Sequence, residues 1–444
     1  MSKIIVAGAG HGGLIAAMKL AKAGHEVLVF EKNEKENLGM AQSDTVEISA
    51  FTYAGIPLPQ EFEIVRNIIT FIPKDKDVSS LTVPPAEAES ILVDRKILIN
   101  HLINLCEKQG IQFFFGVEIV APVLLGNRVC GIKTAQQDFY GDLVIDSCGV
   151  YSPVRSNLPD YMCVNREIKK YDTLNSYRVY FNKIPDVPDP ETTYNVYLRD
   201  DGTVGFTWLV TEKDRIDLLI SRYHDPEEDE IAEIVKAMQE ENPQMGDKII
   251  YGEERAIIPI AQPLAVLVAD GYAAVGDSAF MTCSIKGSGI AYSLKAGTML
   301  ARCVMADTLR RYDAESLWDY QKKFYKEIGF SACRIAIIKN ILPYLSAEQA
   351  NELIKQNIVT TEEMSKLMNE KLDAVLNAKG MAVMKDKLKR VKDNPLLKGI
   401  ISNIAVWLGR FTVTETAFPS KYSPQDVQKW STKYNDFFDS IRAE

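Results

Sequence analysis

The first apolar run, Ile4-Ile5-Val6-Ala7, closes on Gly8-Ala9-Gly10-His11-Gly12-Gly13. Leu14, Ala17, Met18 and Ala21 then recur at helical spacing up to Gly24. An unbroken apolar run predicts a buried parallel strand, and the 3–4 spacing predicts a helix packed on it. Val27-Leu28-Val29-Phe30-Glu31 is a second strand with an acidic end. Residues 44–55 read as a helix ending at Gly55 and Pro57. Strand-like pieces, Ile68 to Ile72 and Ile91 to Val93, flank a polar, Pro-containing stretch within 60–93. After Asp94-Arg95, the positions Leu98, Leu102, Leu105 and Cys106 share one helical face, and Gly110 stops that helix. Strands at 111–115, 117–124, 128–134 and 142–146 predict an antiparallel meander added to the parallel sheet.

The texture changes over 161–255. Tyr177 to Phe181, Thr193 to Leu198, Val204 to Leu209 and Arg215 to Arg222 alternate as sheet strands do, with Asp201-Gly202 as a hairpin turn and a charged helix from Pro226 to Glu241. Residues 256–306 return to the first pattern, with a strand at Tyr272 to Val275, the turn Gly276-Asp277 and a helix from about Gly289. Beyond Tyr312 the chain reads as helical. Helix starts are marked by Ser346 with Gln349, Thr360 with Glu363, and Ser423-Pro424. Near the end, Leu397, Ile400, Ile401, Ile404 and Leu408 form one apolar stripe. It fits burial against the preceding domains, or contact with a membrane surface. Burial is favoured because no strongly basic face opposes it.

Composition narrows the class. The 444 residues are 46% hydrophobic and 25% charged, ordinary for a globular chain with two or three domains, and the net charge of −9 argues against broad nucleic-acid binding. Seven dispersed cysteines without a CxxC pair predict reduced thiols and a cytoplasmic setting. Four histidines without ligand spacing predict no metal site. The chain enters its first strand within three residues, so no secretory leader is expected. The longest apolar run, Leu396 to Leu408, is shorter than a membrane span needs, so no transmembrane segment is expected.

The opening unit carries a chemical prediction. In a strand–turn–helix context, Gly8 permits the tight turn, Gly10 permits backbone approach to a pyrophosphate, and Gly13 permits close helix–strand packing. The helix N-terminus favours phosphate, and Glu31 is placed for a ribose hydroxyl. Three later segments join it. Arg95 heads a helix where it can pair with the pyrophosphate, although an exposed helix-start arginine is as ordinary. Asp142 to Arg155 ends a strand in a small-residue turn and a Ser152-x-x-Arg155 pair. Asp270 to Ala279 continues to Lys286-Gly287-Ser288-Gly289, where Asp277 can bond a polyol chain and Gly287 and Gly289 let backbone approach a planar ring.

These segments, in this order, resemble the FAD-binding fold shared by para-hydroxybenzoate hydroxylase and the geranylgeranyl reductases, over about residues 1–310. The resemblance implies FAD contacts for Gly8, Gly10, Gly13, Glu31, Arg95, Gly276 and Asp277. Their neighbours Gly12 and Lys32, with Gly287, Ser288 and Gly289, complete the expected set. It also implies the fold class: α/β (α+β), with a Rossmann-like FAD-binding domain of the glutathione-reductase type, an antiparallel-sheet substrate domain and a helical C-terminal region. The expected boundaries are 1–160 (with a substrate-side insertion near 60–93), 161–255, 256–311 and 312–444. Val204 to Val210, followed by Ile216 to Ile220, is similar to the Tyr-x-Trp-x-Phe-Pro segment of the geranylgeranyl reductase-like branch. Phe206 replaces the tyrosine and Val210-Thr211 replaces Phe-Pro. Cys148 stands where the middle motif usually has Asp.

For chemistry, Tyr197, Phe206 and Trp208 are candidate pocket residues or plain sheet core. Cys283 is a candidate proton donor, or more simply a buried thiol under the ring. His11 touches phosphate or faces solvent, and Lys286 places charge beside the flavin or lies on the surface. Three readings follow: an FAD-dependent reductase of a carbon–carbon double bond in a lipophilic substrate, a flavin monooxygenase of the aromatic hydroxylase type, or a flavoprotein electron carrier with a ferredoxin or quinone-linked partner. The electron donor would be NAD(P)H or ferredoxin. No second glycine fingerprint follows a later strand, so no dedicated nicotinamide domain is expected.

Overall fold

The computed structural model describes residues 1–443 apart from 76, 192, 199–204 and 371–377. The Asp201-Gly202 turn and Val204 lie outside the described residues. In chain order the first elements are β1 (Lys3–Ala7), α1 (His11–Lys22), β2 (Glu26–Phe30), β3 (Ser43–Glu47), α2 (Ile48–Ala54), β4 (Glu63–Val65), β5 (Ile69–Pro73), β6 (Leu81–Val83), β7 (Ser90–Asp94) and α3 (Arg95–Glu107). Next come β8 (Gln112–Phe114), β9 (Ile119–Leu125), β10 (Arg128–Thr134), β11 (Asp138–Tyr140) and β12 (Leu143–Asp146), then the short α4 (Pro153–Ser156). Of the strands expected to form an antiparallel meander, only β9 and β10 do so, joined by β11; β8 and β12 pair in parallel with β2 and β1 in the first sheet, as the unbroken apolar run of β12 requires. The middle of the chain forms β13 (Thr173–Lys183), β14 (Tyr194–Leu198), β15 (Gly205–Thr211), β16 (Arg215–Arg222), α5 (Glu228–Glu241) and β17 (Met245–Pro259). The chain then returns through β18 (Val268–Ala269), β19 (Tyr272–Ala274) and α6 (Ile290–Ala306). It ends in α7 (Ala314–Phe324), α8 (Phe330–Lys339), α9 (Ala347–Lys355), α10 (Thr361–Met368), α11 (Ala378–Arg390), α12 (Pro395–Thr416) and α13 (Pro424–Ala443).

The first sheet runs β18-β19-β12-β1-β2-β8. Its central strands are parallel, with Val6 opposite Val29 on one side and Ile145 on the other. Both faces are covered, which is why Ile4, Ile5, Val6 and Val144 are fully buried and the run is apolar without alternation. The second sheet runs β17-β13-β16-β15-β14-β5-β6, antiparallel except for β14 against β5. It buries one face against α5 and leaves the other over a cavity, so its strands alternate.

Two further segments differ from the sequence pattern. Residues 44–47 are strand, not helix: the β-branched Thr45 and Val46 pair with Leu92 and Ile91 of β7, and only Ile48–Ala54 is helical, closing on Gly55 at φ 64°. The fifteen-residue β17 crosses the expected junction at 255/256. Its exposed, charged alternation and the irregular register around Gly252 and Glu253 hide it from an apolar-run reading. The capping boxes at Ser346 and Thr360 form, with the Gln349 and Glu363 side chains reaching back to the cap amides. Helix α12 extends past Leu408 to Thr416. At 22 residues it is long and apolar enough to cross a membrane by length and composition, with 28% of its most apolar window buried.

Candidate cofactor and substrate site

The glycine turn sits where the carboxyl ends of β1 and β12 meet. A Cβ on Gly10 would lie 2.3 Å from Ser147 Oγ, and one on Gly13 would lie 2.7 Å from Ser147 Cβ. Gly8 needs its glycine twice over: φ is +85°, and a Cβ would meet Ser147 O at 2.4 Å. Gly12 and Gly297 bring α1 and α6 into backbone contact. Gly10 provides no side-chain cap for α1; the Gly13 amide donates to Ser147 Oγ at 3.3 Å, and the positive end of the helix is left to the cleft at His11 and Gly12. Glu31 stands at the tip of β2. Ala9 N–H donates to its Oε2 and Asn33 N–H to its Oε1, both at 3.0 Å, so the carboxylate braces the turn. Lys32, next to it, is exposed.

Arg95 begins α3, whose cap is Asp94, accepting from Lys96 N–H at 2.7 Å and Ile97 N–H at 3.3 Å. Its guanidinium ion-pairs with Asp44 of β3. Arg178 of β13 approaches the same carboxylate at 3.4 Å and grips Asp217 of β16 with two bonds, 2.9 and 2.6 Å. Burial acts to raise the Asp44 pKa, but Arg95 and Arg178 outweigh it and hold the carboxyl below its usual range. His11 is half-buried, and its Nε2 is buried without a hydrogen-bond partner. Burial, then the positive charge of Arg95, lower its pKa to about 4, so the ring is neutral. A neutral, partnerless ring nitrogen beside an arginine and an open helix start suits a phosphate-bearing ligand.

The third segment faces the same cleft. Gly276 has φ 74° and turns the chain out of β19. Asp277 is exposed to the cleft between the buried Gly276 and Ser278. Desolvation by the cleft walls raises its carboxyl pKa, against the pull of Arg95 and a 3.3 Å bond from Thr282 Oγ1. Residues 283–288 close into a tight loop: Cys283 N–H donates to Ser288 O at 3.0 Å, and Gly287 N–H to Cys283 O at 2.8 Å. Gly289 leaves no room for a Cβ, which would lie 2.8 Å from Thr282 Oγ1. Cys283 is buried beneath this loop and burial, with Glu370, pushes its thiol up to about 11. That placement fits packing under the loop. Lys286 is not a free surface charge: its Nζ pairs with Glu370 of the tail at 2.5 Å, and Tyr292 donates to the same carboxylate. Arg155 is structural. Its guanidinium donates to Ser278 O and Val150 O, both at 2.5 Å, while Ser152 bonds Asp146.

A cavity of about 1110 Å³ opens between the 286–289 loop, the second sheet and the tail helices. Phe206 and Trp208 line it, together with Tyr194, Val196 and Leu198. Tyr197 does not. Trp208 is opposite Val196 in the ladder, whereas Tyr197 is opposite Thr207, so the period of two sends Tyr197 to the far face. There it packs with Leu209 and Ile216 under α5 and bonds Asn242 at 3.2 Å. Arg178 lies 5.3 Å from the Trp208 ring, whose buried Nε1 has no partner. The tail closes the cavity with Leu353, Ile358, Ile400, Ile401, Ile404 and Leu408. The sequence reading missed Asp44, Arg178, Asp217 and this wall. The signal for the pair was present: Arg178 sits between Tyr177 and Val179, and Asp217 between Ile216 and Leu218, and a charge flanked by core residues demands a partner.

Residues 3–150 match the FAD dependent oxidoreductase family. The chain is similar to the digeranylgeranylglycerophospholipid reductase of Sulfolobus acidocaldarius, 20% identical over 374 residues covering 81% of this chain and 82% of that one. It shares its fold with a geranylgeranyl bacteriochlorophyll reductase-like protein from Thermoplasma acidophilum (TM-score 0.70, 18% identity, 88% of this chain and 98% of that one). It also resembles PqsL, a probable FAD-dependent monooxygenase from Pseudomonas aeruginosa (TM-score 0.58, 19% identity, 79% and 98%). Fold, cleft and comparisons together define an FAD-dependent oxidoreductase. Within that class the chain resembles the reductase-named relatives over most of its length, more closely in shape than it does the monooxygenase.

Proposed function

We propose that this protein reduces carbon–carbon double bonds in a lipophilic, prenyl-type substrate, using FAD held in the cleft described above. The observation that carries the reading is the cavity. It begins at the loop expected to meet the flavin ring and continues between an aromatic sheet face and aliphatic tail helices, with room for a long apolar chain. The cleft fits the cofactor: an uncapped helix start, glycines that admit no Cβ, Glu31 at the strand tip and the partnerless His11 nitrogen. We assign pyrophosphate contacts to the α1 start and Arg95, ribose contacts to Glu31, and the polyol chain to Asp277, in a Rossmann-like domain of the glutathione-reductase type.

When bound, FAD supplies the hydride. The chain's residues do the rest. Phe206, Trp208 and Val196 form the wall against which an alkene can lie, and the tail aliphatics keep water from it. The Arg178–Asp217 pair fixes the charged floor so that neither ion wanders into the apolar space. The electron donor is NAD(P)H or ferredoxin.

The test is anaerobic reduction of the purified holoprotein by NADH, NADPH or reduced ferredoxin, followed by mixing with a prenylated lipid or with oxygen. Reoxidation by the lipid, with saturated product by mass spectrometry, is the expected result. Steady NAD(P)H-coupled oxygen uptake with a hydroxylated product would refute it. A protein that is colourless and does not take up FAD would refute the cofactor as well.

A further inference from the structure

Helix α12 has two working faces. One side buries Leu397, Trp407 and Phe411 against the protein, and Ile400, Ile404 and Leu408 line the cavity. The outer side carries Val406 and Val413, one heptad apart and 55 and 59% exposed. From Pro395 to Thr414 the helix has no acidic residue, and its charges are Lys398 and Arg410. Across a shallow groove, Lys429 and Lys433 of α13 flank Arg410 and Val413, with Asp436 the acid on that groove. The bias is regional. Between Lys379 and Lys433 the sequence has eleven Lys or Arg against four Asp or Glu, in a chain whose net charge is −9.

We propose that this face of α12, with the basic rim from α13, docks on the surface of an anionic lipid bilayer. An apolar helix with only 28% of its most apolar window buried, showing Val406 and Val413 outward and bordered by cations, matches the boundary between acyl chains and anionic headgroups. The buried side of α12 is fastened at both ends, by Trp407, Leu408 and Phe411 to the main core and by Leu397 and Ile401 to the tail cluster with Leu353 and Ile358, so it lies in the interface plane rather than spanning. The same helix then separates the bilayer from the cavity, and a lipophilic molecule would have one helix thickness to pass. This inference stands on α12 and α13 and not on the reaction proposed above, although that reading would give it a purpose.

The test uses the FAD-loaded full chain and vesicles of phosphatidylcholine alone or with about one-third phosphatidylglycerol, free of prenyl lipids. Co-sedimentation with the anionic vesicles, weakened by 0.5 M salt, is expected. V406D/V413D and, separately, R410E/K429E should each lower binding at least about tenfold while retaining flavin, because these side chains are exposed. No vesicle binding by the parent protein, or undiminished binding in both variants, would overturn it. So would light scattering showing a dimer that V406D/V413D dissolves. Failure here leaves the solution assay for alkene reduction untouched, and failure there leaves vesicle binding untouched.

Discussion

Replacing Asp217 by Asn tests whether the charged floor of the cavity is a true buried pair. Asp217 is 2% exposed and Arg178 5%, and two hydrogen bonds of 2.9 and 2.6 Å join them. Removing one charge from such a pair leaves the other uncompensated, which costs about 3–5 kcal/mol. The lower end applies, because Asp44 stands 3.4 Å from the same guanidinium and keeps part of the compensation. About 3 kcal/mol is roughly a hundredfold in the unfolding equilibrium. The assay is urea unfolding of FAD-loaded protein, followed by tryptophan fluorescence and far-ultraviolet circular dichroism, with the midpoint lowered and the slope unchanged. The companion variant R178M/D217L removes both ions. It should lie near wild type or above it, since an apolar pair of similar size avoids the desolvation cost and Arg95 still neutralises Asp44. Reasoning from a buried pair is refuted if D217N loses less than about 1 kcal/mol, or if the double variant loses as much as D217N.

Other consequences are open to measurement. His11 stays neutral in the folded chain down to about pH 4, while the unfolded ring takes up its proton near 6.5. Stability attributable to it is therefore full above pH 6.5 and declines as pH falls toward 4. H11N should flatten that slope in a pH series of urea midpoints. G10A should abolish flavin retention through its clash with Ser147 Oγ. G10A/S147A should recover part of it, read as bound flavin per chain, since the oxygen 2.3 Å away is then gone. E370Q removes the charge that ties the tail to Lys286 and Tyr292. Hydrogen exchange of amides 283–289 should quicken several-fold, and an unchanged rate would show the tie to be idle.

What the chain announced and what it hid follow from how far each signal reaches. Strand, glycine turn, helix and acidic tip lie within 31 residues, so their geometry was legible in β1, α1 and β2. The Asp94 cap and the Ser346 and Thr360 boxes are equally local and form as read. Tyr197 was misplaced because an alternating strand states that two faces differ and not which one meets the cavity. Only the ladder opposite Trp208 decides that. Residues 44–47 misled because Val46 and Phe51 also suit a helix, and the pairing with β7 lies nearly fifty residues on. His11 was readable either way because the burial of its Nε2 comes from elements outside its own turn, while the residue as a whole is only half-buried. The tail wall could not be foreseen: Ile400 and Ile404 read as a generic stripe until the second sheet stands opposite them.

The order β18-β19-β12-β1-β2-β8 sets a timetable for the newborn protein. Its earliest strand, β1, waits beside a vacant slot until Leu143–Asp146 emerges, and β12 in turn waits for Tyr272–Ala274. At about 5–20 residues per second, a ribosome needs roughly 15–55 s to reach that point. Until residue 146 the open edge is Ile4-Ile5-Val6 of β1; from then until Tyr272–Ala274 it is the equally apolar Leu143-Val144-Ile145 of β12. A pause or truncation between residues 146 and 272 would leave nascent chains with an unfinished edge, and those chains are the ones a chaperone would have to shield.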